Sequence, residues 1–187
     1  ILKELKEEFE GTIKVIFQPG EEVLPGGASL MIQEGVLNDP KVDKAIALHV
    51  FPDLDAGKAG FRPGMYMAST DELYITINGK GGHAAMRSEY INPLIIASEI
   101  LLNIEHNFMR TGALTGTKGE HIPTVIAFGK IEGKGATNVI PEKVEIAGTF
   151  RTMNEQWRSE VHQRLKQLVA EVSQKYGVSS EIRIDHG

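Results

Sequence analysis

Two adjacent carboxylates, Glu21 and Glu22, close the run Phe17-Gln18-Pro19-Gly20-Glu21-Glu22, and an imidazole, His49, stands in Leu48-His49-Val50. One carboxylate of such a pair can bind a metal ion while the other takes a proton from water, a division of labour that suits hydrolysis. Histidine with carboxylates favours Zn, Mn, Co or Ni over Mg or Ca. The same residues also read as a solvated loop and a core histidine, because Glu-Glu pairs are common on surfaces.

Three further residues invite a chemical reading. His83 lies in Gly79-Lys80-Gly81-Gly82-His83-Ala84-Ala85, where glycines allow close backbone approach and leave the ring accessible. Asn138, in Gly133-Lys134-Gly135-Ala136-Thr137-Asn138-Val139-Ile140-Pro141, can present an amide from a loop or simply form a turn. Arg151 ends a strand on the face opposite Phe150, where a guanidinium can clamp a carboxylate in two places or serve as an exposed charge. His106, His121, His162 and His186 have no motif around them, and His162 is expected at the surface or boundary of a long helix.

The elements that would position these groups fall into two patterns. Residues 1–69 alternate helix and strand. Ile1, Leu5 and Phe9 repeat at helical spacing and read as the tail of a longer helix. Thr12 to Phe17 and Lys44 to Val50 are apolar runs that fit buried strands, with a short helix around Leu30, Met31 and Val36 between them. Ligands of open α/β sheets bind outside the carboxyl ends of the strands, where Glu21, Glu22 and His49 would lie.

From residue 70 the pattern changes. Leu73, Ile75 and Ile77 alternate with polar neighbours as a half-buried strand. Asn92-Pro93 caps and opens a helix, Thr111 to Ile122 reads as a Gly/Thr-rich loop, and Thr124 to Ile131 is a strand. Val144, Ile146 and Phe150 mark the inner face of the next strand; Asn154 caps a long helix ending at Gly177, and Glu181 to Asp185 forms a last strand. The order is βαββαβ, a ferredoxin-like arrangement over residues 70–187.

Composition narrows the function classes. The 187 residues are 41% hydrophobic and 24% charged, an ordinary globular balance, with a net charge of −5 that argues against a nucleic-acid partner. No apolar run approaches the ~20 residues a bilayer crossing needs, so no membrane partner is expected. The absence of cysteine excludes a thiolate metal site, leaving His and carboxylates as ligands. The N-terminus has neither an initiator Met nor an apolar signal core, which reads as a chain cut from a longer protein; the expected location is the cytoplasm.

Taken together, Phe17-Gln18-Pro19-Gly20-Glu21-Glu22, Gly26-Gly27-Ala28, Met31-Ile32-Gln33-Glu34-Gly35-Val36-Leu37, Leu48-His49-Val50, Gly79-Lys80-Gly81-Gly82-His83-Ala84-Ala85, Thr137-Asn138-Val139-Ile140-Pro141 and Gly148-Thr149-Phe150-Arg151-Thr152 resemble the M20 metallopeptidases. The similarity is to the amidohydrolase branch of hippurate, N-acyl-amino-acid and auxin-conjugate hydrolases. It implies a partial zinc-peptidase-like α/β catalytic domain over residues 1–69 and a ferredoxin-like lid and dimerisation domain over 70–187. It also implies that Glu21 is the general base, that Glu22 and His49 are ligands in a site for two divalent metal ions (Zn, Mn or Co), and that His83 polarises the scissile carbonyl, usually reaching into the partner subunit's site. Asn138 and Arg151 would bind substrate, Arg151 at its carboxylate.

The resemblance departs in one respect. An upstream motif with a Cys or His ligand, an Asp-containing segment and a late His after the lid belong to the family pattern and are not in these residues. The expectation is therefore an enzyme that cleaves the amide of N-acyl amino acids in the intact protein, active as a homodimer through the lid, with this segment inactive alone. Two alternatives stay open: a non-catalytic dimerisation or binding module, and a dipeptidase or aminopeptidase of the same superfamily.

Overall fold

The computed structural model describes residues 2–22, 26–110 and 122–187. The expected Gly/Thr-rich loop therefore lies, apart from Ile122, outside the described residues, as does His121. The chain divides into two compact units, Ile1–Arg62 and Pro63–Gly187. Among the described residues no helix is long and apolar enough to cross a membrane.

The second unit carries the core. Strands β1 (Ser69–Asn78), β3 (Thr124–Glu132), β5 (Lys143–Thr152) and β6 (Ser179–His186) form an antiparallel sheet in the order β3-β5-β1-β6, and β2 (Gly82–His83) pairs with β4 (Val139–Ile140) as a separate two-stranded ribbon. The register follows from alternation. Leu73, Ile75 and Ile77 of β1 point inward beside Val144, Ile146 and Phe150 of β5, and every one of them is buried.

Helices α2 (Pro93–Ile104) and α3 (Glu155–Lys175) cover that face. Their apolar stripes, Ile96, Ala97, Ile100 and Ile104 on one and Trp157, Val161, Leu165 and Val169 on the other, repeat at three- and four-residue spacing and are buried. Each start is set by an asparagine whose side chain accepts a backbone N–H: Asn92 from Leu94 at 3.0 Å and Asn154 from Trp157 at 2.8 Å. Gly177, at φ +66°, ends the turn after α3. These elements in this order make the expected ferredoxin-like βαββαβ sheet.

The first unit corrects the sequence reading. Its helix, here α1, runs Gly27–Gln33, and only Lys6–Glu8 of the N-terminal stretch is helical, as a 3-10 turn. Thr12 to Phe17 and Lys44 to Val50 are neither strands nor buried. Their backbones form no ladder, and Phe17 is 85% exposed, Ile46 92% and Leu48 93%. A β-branched apolar run sets an extended backbone, but a strand exists only when a neighbour supplies the hydrogen bonds and a covering face.

Candidate active site

Glu21 and Glu22 sit exposed on the turn that follows Pro19 and Gly20. Gly27, the first residue of α1, presses against that turn. A Cβ there would lie 1.7 Å from the Pro19 carbonyl oxygen, so only glycine lets the helix start pack this closely against Pro19. His49 is also exposed. Its Nδ1 lies 2.6 Å from the Val50 carbonyl oxygen, and a carbonyl only accepts, so Nδ1 carries a proton and in the neutral ring Nε2 is the acceptor.

That protonation pattern fits a metal ligand, which commonly anchors itself by donating its other ring N–H to a backbone carbonyl. The full ligand set is not assembled, however. Among the described residues no group of three His, Cys, Asp or Glu side chains gathers closely enough to hold a metal ion. Glu22 and His49 carry donor atoms of the kind such an ion takes, in a set that the described residues do not complete.

In the second unit the structure brings His83 and Asn138 to one corner. His83 pairs with Val139 across the β2–β4 ribbon, and the Ala84 N–H donates to the Asn138 carbonyl at 2.9 Å. Both residues are exposed. The Ala85 N–H donates to His83 Nδ1 at 3.2 Å, so the ring proton stays on Nε2, the opposite tautomer to that of His49. His83 thus offers a hydrogen-bond donor to solvent, and His49 an acceptor.

Arg151 is elsewhere. It is exposed and pairs in register with Thr70 of β1, whereas Asn78 at the other end of β1 pairs with Lys143 and leads into the His83 turn. At about 3.3 Å per residue the stretch from Thr70 to Asn78 separates the two ends by roughly 25 Å. One copy of this unit does not present Arg151 and His83 to the same small molecule.

A cluster unforeseen in the sequence lies inside the second unit. Asp71 is fully buried, and Arg158 grips it through Nε, at 2.9 Å from Oδ2, and through Nη2 on Oδ1. His162 places Nε2 2.7 Å from Asp71 Oδ2; it is buried, contrary to the surface or boundary position expected. The His186 ring meets His162 edge-on at 5.1 Å, and Arg158 Nη2 also donates to the Gly187 carbonyl at 3.2 Å.

Burial pushes the Asp71 carboxyl up, but the hydrogen bonds and charges of Arg158 and His162 outweigh it and hold the group below its ordinary range. Burial pulls His162 below its ordinary value; Asp71 opposes this, and His186 and Arg158 add to it. A signal for the cluster was available. Asp71 shares the inward parity of Leu73, Ile75 and Ile77, and a carboxylate on a buried face requires a partner.

Comparison with known proteins gives the frame for these residues. The chain matches the family described as Peptidase family M20/M25/M40 over residues 1–186. It is 36% identical over its full length to the N-acyl-L-amino acid amidohydrolase of Geobacillus stearothermophilus, of which it covers 48%. It is 35% identical over 90% of its length to the IAA-amino acid hydrolase ILR1-like 4 of Arabidopsis thaliana, covering 36% of that protein. The crystal structure of a dinuclear metal binding peptidase of the M20 family from Bacillus subtilis superposes with a TM-score of 0.70 at 28% identity, over 99% of this chain and 44% of that one. The chain therefore spans about half the length, or less, of the relatives it matches. The family resemblance read from the linked motifs holds: the chain belongs to peptidase family M20/M25/M40.

Proposed function

We propose that this chain is part of a hydrolase that cleaves the amide bond of N-acyl amino acids, acting in a protein of the relatives' full length. The observation that carries the reading is the opposite protonation of two exposed histidines: His83 with its proton on Nε2, His49 with Nε2 free. Metal-assisted amide hydrolysis uses one of each, a donor toward the developing oxyanion and a lone pair toward a cation.

In this reading Glu21 takes the proton from the attacking water and returns it to the leaving amine, so the amide C–N bond breaks as the acid and the free amino group form. His83 Nε2–H donates to the carbonyl oxygen as charge grows on it, and the Asn138 amide helps orient the acyl portion. Glu22 and His49 would help hold divalent metal, which supplies Lewis-acid polarisation and a more acidic water; Zn, Mn and Co all suit this donor set. Arg151 would bind the substrate carboxylate.

The separation of Arg151 from His83 supports a homodimer in which the two act on one substrate from different copies. Residues 63–187 would be the lid and dimerisation domain, and residues 1–62 part of the catalytic domain. The test is hydrolysis of a panel of N-acyl amino acids with added Zn, Mn or Co, comparing this chain with a protein of the relatives' length that contains it. Turnover by the longer protein alone, abolished by Glu21→Gln, is the expected result. A longer protein that binds no metal and turns over nothing, while this chain still dimerises, would make it a binding module instead.

A further inference from the structure

The turn carrying His83 is enclosed by a loop whose ends are tied together: Lys80 and Ile91 exchange backbone hydrogen bonds, 2.9 Å each way. Inside it the Met86 N–H donates to the His83 carbonyl at 2.9 Å and the Glu89 N–H to the Met86 carbonyl at 2.9 Å. One side chain of the loop turns back over the backbone on both sides of His83. Half-buried Tyr90 lies along the open α-face of Gly82, where a Cβ would stand 3.3 Å from Tyr90 Cβ and 3.8 Å from Cδ1. Its hydroxyl donates to the Ala84 carbonyl at 3.5 Å and accepts from Arg87 Nη1 at 3.4 Å.

We propose that Tyr90 is the positioning residue for His83, bracing Gly82 and Ala84 so that the imidazole keeps its Nε2–H outward. The reasoning is geometric. The Ala85 N–H reaches His83 Nδ1 only while the 83–85 turn holds its present shape, and that hydrogen bond fixes the tautomer. On its far side the turn is tied by the β2–β4 pairing and by the Ala84 N–H to Asn138, and Tyr90 closes the near side. The ring carries more of this than the hydroxyl, whose contacts are long for hydrogen bonds between oxygens. Arg87, donating into the phenol oxygen, directs the hydroxyl proton toward Ala84.

The catalytic meaning of the brace rests on the function proposed above, but the brace itself can be tested without it. In this chain, Tyr90→Ala should accelerate amide hydrogen exchange at Ala84 and Ala85 by about tenfold or more and move the His83 ring ¹⁵N shifts away from the Nε2–H pattern, with exchange at Ile75 in β1 unchanged. Tyr90→Phe should retain most of the protection. Unchanged exchange and ring shifts in Tyr90→Ala overturn the proposal, as does acceleration spread equally into β1, which would make Tyr90 a general packing residue. In the longer protein, Tyr90→Ala should lower kcat about tenfold with little change in KM, and Tyr90→Phe should restore it. A normal kcat for Tyr90→Ala refutes the catalytic meaning; absence of hydrolysis in every version, with the exchange result intact, refutes the functional reading and leaves the brace standing.

Discussion

Replacing Asp71 with asparagine keeps the shape of the side chain and removes its charge from a site with no access to water. Arg158, whose side chain is 12% exposed, is then left with exposed Glu155, 3.2 Å away, as its charged partner and faces an amide that is half donor. Breaking a buried pair by neutralising one partner costs about 3–5 kcal/mol. For a unit the size of Pro63–Gly187, 1 kcal/mol moves Tm by roughly 3–5 °C, so Asp71→Asn should lower Tm by on the order of 10–20 °C. Thermal and urea unfolding of the chain at pH 7 measure this directly. The double variant Asp71→Leu/Arg158→Met, which leaves neither buried charge behind, should regain part of the loss, the remainder reflecting the partner that buried His162 no longer has. A drop of less than about 3 °C for Asp71→Asn, with an unchanged urea m value, would show that the cluster is solvated and refute the reasoning.

The same cluster sets a pH dependence. His162 is held below its ordinary value, so the unfolded chain takes up this proton first as pH falls below about 6.5, and stability is lost down through the folded value. Asp71, also held low, contributes stability above about pH 3.9 that disappears as pH falls through its folded value. His162→Gln should flatten the first part of that loss, just below about pH 6.5, in melts recorded across the range; an unchanged slope there would count against it. Asn154→Ala removes the cap of α3 and should cost about 1 kcal/mol in urea unfolding, with Asn154→Ser close to neutral. Gly148→Ala would place a Cβ 2.3 Å from the Ala127 carbonyl oxygen and 2.6 Å from Phe128 Cδ1, so β3 must shift; a loss of roughly 1–3 kcal/mol is expected, and a neutral melt would be the contrary result.

What the sequence made legible follows the physics of each signal. Strands β1 and β5 and helices α2 and α3 declared themselves because each has one buried face, so periodicity and burial agree. His83 and Asn138 received roles only through family motifs, and that they are neighbours was not legible, since the ribbon that joins them is two residues on each side and has no periodicity. The inward parity of Asp71 signalled a buried partner, but Arg158 and His162 could not be named from the sequence because the pairings span 87 and 91 residues. Tyr90 was hidden because nothing in its local sequence reports packing on a glycine eight residues earlier.

The unpaired segments of the first unit mark the limit of local sequence most clearly. Ile13, Val15 and Phe17, then Ile46, Leu48 and Val50, alternate as strand residues do, yet their backbones join no ladder and all six side chains stay largely in water. Strand propensity reports how well a residue fits a pleated, half-buried surface, and the surface is made by neighbouring strands rather than by the segment itself. The second unit shows the converse. Val125 and Ile131 of β3 are about half exposed, but β3 remains a strand because β5 pairs with it from Thr124 to Glu132. Pairing decides the element and burial only reinforces it. An apolar alternating run therefore predicts where a strand can form, and the turn at its carboxyl end, here Gln18 to Glu22, predicts where chemistry can be placed. Whether the strand forms depends on what lies beside it.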